Sequence, residues 1–278
     1  MSALWTDRYT AVIGSDHVAV MHTRSELFRR KIIAEKRSSL SLSGNKAADN
    51  KLIMTTLSAL FGQMKLQGGK LDIMLAGRFV HLGVLPPLDQ ALKRGEQLKR
   101  IQLHFERVFG AMAAQWSFST SPAKYQQPVL AAAMDQSLLS DFRQLAESLH
   151  LKLVTVEPVL MCILRHWKNR LIKQPIWLIV AESTCYSLLK IERGSVTAVS
   201  QATYGEDFSG DALQAVLTRE ALRLGETLQG KTLYLFSPHK SGLSVEVQGV
   251  RLQQLHLPVA DAGNTFSASR LLKMSWNA

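Results

Sequence analysis

The stretch IWLIVAESTCYSLLKIERGSVTAVSQATY, residues 176–204, reads as three strands in a row: IWLIVAE (176–182), CYSLLKIE (185–192) and SVTAVSQATY (195–204). After the break GEDFSGD, a helix is predicted from about Asp211 to Leu228, with Leu213, Val216, Leu217, Leu224 and Leu228 on its apolar side. LYLFSP (233–238) is the next strand. The order is β-β-β-α-β.

The same order opens the chain. Strands are predicted at Arg8–Ile13, His17–His22 and Arg29–Glu35, followed by the loop RSSLSLSGNKAADN. A helix over about Asn50–Leu66 places Ile53, Leu57, Leu60, Phe61 and Met64 on one face, Gly68 and Gly69 stop it, and LDIMLA (71–76) is a strand. The first two strands, AVIGSDHVAVMH (11–22), flank a reverse turn of Gly14, Ser15 and Asp16. The halves share a pattern and no evident residue identity. Internal duplication of this kind fixes architecture.

A third block lies between them. FVHLGV (79–84) is a strand and 87–112 a long helix, with Leu88, Leu92, Leu98, Ile101, Phe105, Val108 and Met112 at helical spacing. QWSFSTS (115–121) and VLAAAMD (129–135) are strands, 137–150 is a helix that Ser137 can cap, and LKLVTVEP (151–158) is a strand closed by Pro158. This β-α-β-β-α-β order is ferredoxin-like, although its first strand fits the flanking sheet equally well. A helix over 159–173 and Pro175 lead into the second half. The expected division is 1–174, with an inserted small α/β subdomain at about 78–157, and 175–278. The last forty residues read as a strand, a turn and a short helix.

Composition narrows the function classes. The chain has 278 residues, 46% of them hydrophobic, which is enough for a sizeable core. No apolar run approaches the ~18 residues of a membrane span. Asp7 and Arg8 interrupt the N-terminus, so no secretory signal is expected, and two cysteines give no disulfide framework. A reducing cytoplasm is the simplest compartment. The net charge of +11 would attract nucleic acid, anionic lipid or an acidic partner. It recurs as FRRKIIAEKR (28–37), KRGEQLKR (93–100) and RHWKNRLIK (165–173), which also read plainly as solvated faces of a strand and two helices. No aromatic–basic RNA-binding motif accompanies it, so no specific nucleic acid is expected.

Catalytic signatures are missing: no GxSxG, no P-loop, no GxGxxG and no HExxH. His17 and His22, with Asp16, fall short of the three or four converging ligands of a metal site. Glu206 and Asp207 precede a helix and suit its dipole better than acid–base work. Cys162, in VLMCILR, has helical core spacing, and Trp116, Trp167 and Trp177 fit core or interface. Neither a catalytic residue nor a metal ligand is assigned.

The duplicated unit resembles the core of the actin-like ATPase fold, which is ribonuclease-H-like in each half. The inserted subdomain is similar to that of the bacterial actin relatives of the FtsA and PilM type. LVTVEPVLMCILRHW (153–167) resembles the join of the PilM family, a strand, then VEP, then a helix with an arginine. The related proteins are PilM, the cytoplasmic part of GspL, and MshI, assembly proteins of type IV pili and type II secretion systems. In nucleotide-binding members each half begins with an Asp-x-Gly turn. Here Gly14 and Ser15 match the glycine and the hydroxyl residue, while Val12 stands at the aspartate. In the second half Ile179 stands for the aspartate and Ala181 for the glycine. YGEDFSGDAL (204–213) matches a glycine-rich contact, although Asp207, Ser209 and Asp211 serve equally as turn residues and N-cap.

The resemblance therefore implies a vestigial nucleotide set of Gly14, Ser15, Asp16, Gly205 and Asp207, with no catalytic residue and no required cofactor. It implies a non-catalytic cytoplasmic scaffold, peripheral at the inner membrane, that binds the cytoplasmic tail of a single-span assembly protein and lies near an anionic membrane surface. Two alternatives stay open. One is an ATP- and magnesium-binding ATPase or kinase relative, with Asp16 approaching the metal from beyond the glycine. The other is a nonspecific nucleic-acid-binding protein.

Overall fold

Continuous apolar runs become central strands: residues 9–13 and 176–181 are buried at every position, as strands covered on both faces must be. The computed structural model describes residues 5–26, 29–88, 92–121, 126–167, 171, 175–203, 210–227, 229–237 and 249–255. In chain order the elements are β1 (Trp5–Ile13), β2 (His17–Glu26), β3 (Arg29–Ser39), α1 (Lys46–Gly62), β4 (Gly69–Leu75), β5 (His81–Leu85) and α2 (Arg94–Phe109). They continue with β6 (Trp116–Thr120), β7 (Val129–Asp135), α3 (Gln136–Ser148), β8 (Leu151–Pro158), α4 (Val159–His166), β9 (Ile176–Ala181) and β10 (Cys185–Glu192). The last are β11 (Ser195–Thr203), α5 (Gly210–Leu224), β12 (Thr232–Phe236) and β13 (Arg251–Gln254).

Two five-stranded sheets have one topology, β3-β2-β1-β4-β8 and β11-β10-β9-β12-β13. In each, the first three strands are antiparallel and the last two join in parallel. The duplication predicted from element order is thus a duplication of sheet topology. One helix covers the same face in both. Tyr9 meets Phe61 of α1 edge to face at 6.3 Å, while Trp177, Ile179 and Ala181 pack with Leu213 and Leu217 of α5.

Several elements differ from expectation for physical reasons. β2 continues past His22 to Glu26 because its polar end is satisfied: His22 and Arg24 both hydrogen-bond Asp7 across the ladder, at 2.7 and 2.9 Å. α1 starts four residues before Asn50, at Lys46, because the Asn45 side chain accepts from the N–H groups of Ala47 and Ala48. The long helix expected over 87–112 is α2 followed by a 3-10 turn at Gly110–Gln115. The break falls at Gly110, with φ of 65°. Asp135, rather than Ser137, caps α3.

The inserted subdomain is smaller than the expected 78–157 and is not a complete ferredoxin-like unit. Its three-stranded sheet is β5-β7-β6, with Ile101 and Phe105 of α2 in its core. β8, expected to close that sheet, instead pairs with β4 as the fifth strand of the first large sheet. Two compact units result. The first includes residues 1–79 and 134–166, and the second 80–133 and 167–260.

Edge strands of the large sheets are interrupted. Ile33 in β3, Val154 in β8 and Thr197 in β11 each lack a residue opposite them in the ladder. Among the described residues the second sheet ends at β13, which has four residues.

Candidate functional site

The strand–turn–strand corners at 13–18 and 181–186 are the same structure built from different residues. Gly14 N–H donates to the His17 carbonyl at 2.8 Å, and Glu182 N–H donates to the Cys185 carbonyl at 2.8 Å. Ile13 lies opposite Val18, and Ala181 lies opposite Tyr186. Residue by residue, Gly14, Ser15, Asp16 and His17 therefore match Glu182, Ser183, Thr184 and Cys185. This moves the second corner by one position from the sequence alignment. Val12 matches Val180, not Ile179, and Gly14 matches Glu182, not Ala181.

Val12 and Val180 are fully buried, and both lie on the sheet face away from the covering helix. A carboxylate that holds a metal and its waters cannot be replaced in function by an isopropyl group. Gly14 has a different use. A Cβ built there would fall 2.4 Å from Cε1 of His17, so the glycine makes room for the imidazole. His17 is buried and its Nδ1–H donates to Asp16 Oδ1 at 2.5 Å. In the second corner the matching position holds Glu182, buried, with the Cys185 thiol 3.8 Å from its Oε2. Among the described residues, then, both corners lack the carboxylate of an Asp-x-Gly turn at its place, and the second lacks the glycine as well. One feature runs the other way: the hydroxyl oxygens of Ser15 and Ser183 are buried and have no hydrogen-bond partner.

Of the residues singled out from sequence, Gly14, Ser15 and Asp16 share the first turn. Gly205, Glu206, Asp207 and Ser209 lie outside the described residues. Cys162, Trp116, Trp167 and Trp177 are buried. His22 stacks on Tyr9 at 4.4 Å and bonds Asp7, which gives it a structural role. Among the described residues no three His, Cys, Asp or Glu side chains are grouped to hold a metal, and no helix is long and apolar enough to cross a membrane.

The same face as Val12 carries a line of polar side chains that sequence reading missed. Asp72, buried on β4, pairs with Arg8 and accepts from the Thr155 hydroxyl at 2.8 Å. That bond with Asp72 raises the Arg8 pKa against the opposing effect of burial. Further along, Arg165 of α4 donates to both oxygens of Glu157, at 2.8 and 2.5 Å, across Pro158. Cys162 Sγ lies 3.0 Å from Met74 Sδ, and Met74 is the lateral neighbour of Val12. Burial, then the negative charge of Glu157, push the Cys162 thiol up to about 12. It is an inert thiol at neutral pH. α4 is thereby clamped against the face where the missing carboxylate would have acted.

No family model matches the chain, and no curated protein does. Solved structures do. A Bacteroides thetaiotaomicron protein with actin-like ATPase fold and unknown function is similar with a TM-score of 0.59 and 12% identity, over 89% of this chain and 91% of that one. The chain has the actin-like ATPase fold. Two other structures similar to this actin-like chain come from assembly systems. The cytoplasmic domain of EpsL, an inner-membrane component of the Vibrio cholerae type II secretion system, has a TM-score of 0.56 and 10% identity, over 98% and 96% of the two chains. A chain of the PilM–PilN type IV pilus biogenesis complex has a TM-score of 0.56 and 15% identity, over 89% and 88%. At these identities the likeness is one of fold.

Proposed function

We propose that this actin-like chain is a non-catalytic scaffold on the cytoplasmic side of an inner-membrane assembly platform of the type IV pilus or type II secretion kind. It binds the cytoplasmic tail of a single-span membrane partner and stays peripheral to the membrane. One observation carries the reading: both corners that would grip a metal–nucleotide complex are filled from within, by Val12 and His17 in one and by Val180 and Glu182 in the other. A fold kept after its phosphate chemistry is gone is kept for its surfaces. The likeness to EpsL and to PilM–PilN supports the choice of platform.

The test is a calorimetric titration of the purified chain with a synthetic peptide of the cytoplasmic tail of a PilN-type protein from the same cell. A parallel titration uses ATP with magnesium at moderate salt. Saturable one-to-one binding of the tail with no heat from nucleotide is expected. Failure to bind the tail, or phosphate release from ATP, would overturn the reading. A second reading, nucleotide binding without hydrolysis, is favoured by the unpartnered hydroxyls of Ser15 and Ser183. It requires magnesium–ATP affinity that falls in Ser15→Ala or in Ser183→Ala, each variant measured by itself.

A further inference from the structure

α2 is amphipathic toward the core through Ile101 and Phe105, and away from it Leu103, Arg107 and Val108 are exposed at i, i+4 and i+5. Arg100 and His104 flank this stripe half-buried: Arg100 donates to the Pro86 carbonyl at 2.6 Å, and the His104 ring lies against Gly83. The stripe runs on into Met112 in the 3-10 turn. Leu103, Val108 and Met112 are 46%, 63% and 62% exposed, values unusual for large apolar side chains.

His104 is held below its usual pKa by burial, then by Arg100 and Arg107. The acids of the helix are engaged elsewhere. The Glu96 carboxylate accepts from the Lys93 N–H at 2.8 Å, and the Glu106 carboxylate accepts from Gln102 Nε2 at 2.7 Å. Beyond Arg107 the chain reads VFGAMAAQ (108–115), eight residues without a charge. Exposed aliphatic side chains beside cations on one face, in a chain of net charge +11, are complementary to a surface that is apolar beneath an anionic skin. A lipid leaflet has that profile. An acidic protein surface would leave Val108 and Met112 without apolar cover.

We infer that the α2 stripe, from Leu103 to Met112, is a lipid-contact surface that seats the chain on an anionic leaflet. This rests on the peripheral location proposed above and names the residues that make the contact. It needs no membrane partner, because the apolar side chains enter the headgroup layer while the exposed Arg107 meets phosphate.

The test is co-sedimentation of the full chain with vesicles of phosphatidylethanolamine and phosphatidylglycerol, beside vesicles of phosphatidylcholine alone. Binding to the anionic vesicles, weakened by salt, is expected. The variant Arg107→Glu with Val108→Ser and Met112→Ser should lose about tenfold or more in vesicle affinity. All three side chains are exposed, so an unchanged thermal melt is expected, and Met112→Glu alone gives a second, milder probe. Lys36→Glu, an exposed residue on β3, is the charge control and should lose much less.

Titration of the same variants with the PilN-type tail peptide separates this inference from the scaffold reading. Retained tail binding with lost vesicle binding supports the lipid surface. Tail binding by a wild-type chain that ignores anionic vesicles overturns the lipid surface alone. Equal binding to both vesicle types, or vesicle binding untouched in the triple variant, also overturns it. So does loss of a protein partner in the variants with no vesicle binding at all.

Discussion

The guanidinium of Arg165 holds both carboxylate oxygens of Glu157, at 2.8 and 2.5 Å, and so ties the last turn of α4 back to the end of β8. The pair gives physical content to the strand–VEP–helix–arginine stretch read in the sequence. Arg165 is about half exposed, so solvent screening trims its value. Arg165→Met should cost about 1 kcal/mol in a urea titration, and the loss should shrink in high salt. With α4 loosened, Cys162 becomes accessible. Native wild-type protein at pH 8 should react slowly with a thiol probe, because that thiol titrates at about 12, and the variant should react faster.

Gly14 is explained by His17, and the explanation is testable as a pair. Gly14→Ala should destabilise by about 1–3 kcal/mol through overcrowding, since the new methyl would meet the imidazole at 2.4 Å. Combining it with His17→Ala should recover most of that loss relative to His17→Ala alone. A thermodynamic cycle on the two changes reads the coupling. If Gly14 instead served only a phosphate, Gly14→Ala would cost little stability in either background.

Acid sensitivity follows from Asp7 and Asp49. Burial raises both carboxyl pKa values, but hydrogen bonds outweigh it: from Arg24 and His22 on Asp7, and from the N–H groups of Ser43 and Gly44 and the Ser43 hydroxyl on Asp49. Both end below the ordinary value of 3.8. A depressed folded pKa stabilises above the unfolded value, and the stabilisation is lost as pH falls through 3.8 toward the folded pKa. Asp49→Asn should therefore be less stable than wild type at pH 7, with a gap that closes as the solution is acidified. Denaturant midpoints taken across that range would show it.

Gln201 bridges β11 and β5 with its side-chain amide. Its Oε1 accepts from Leu82 N–H at 2.7 Å, and its Nε2 donates to the Val80 carbonyl at 3.2 Å. The amide behaves as a detached peptide group between two strands that share no ladder. Gln201→Ala should cost about 1–3 kcal/mol. Amide hydrogen exchange at Leu82 should speed up in that variant while exchange at Leu178, in the centre of β9, stays slow.

Much of the fold was legible because it rests on local pattern. Alternation and apolar runs gave β1, β2, β9 and β10, and their order gave the duplication. Pairing is less local. Nothing in LKLVTVEP says whether its neighbour is β4 or the inserted sheet, so β8 was assigned to the wrong sheet. The alignment of the second corner slipped by one because no glycine marks it, and only the ladder partners of Ala181 fix its place. That Val12 ends the first strand where a carboxylate would be needed is readable directly. The reason for keeping Gly14 was not, because it depends on which way the His17 ring turns.

Strand edges invite copies of a chain to template one another at high concentration. Among the described residues, Ile33, Val154 and Thr197 put β3, β8 and β11 out of step with their neighbours, β13 is four residues long, and Gln201 of β11 already spends its amide on β5. Outer strands interrupted in this way make poor templates for a second copy.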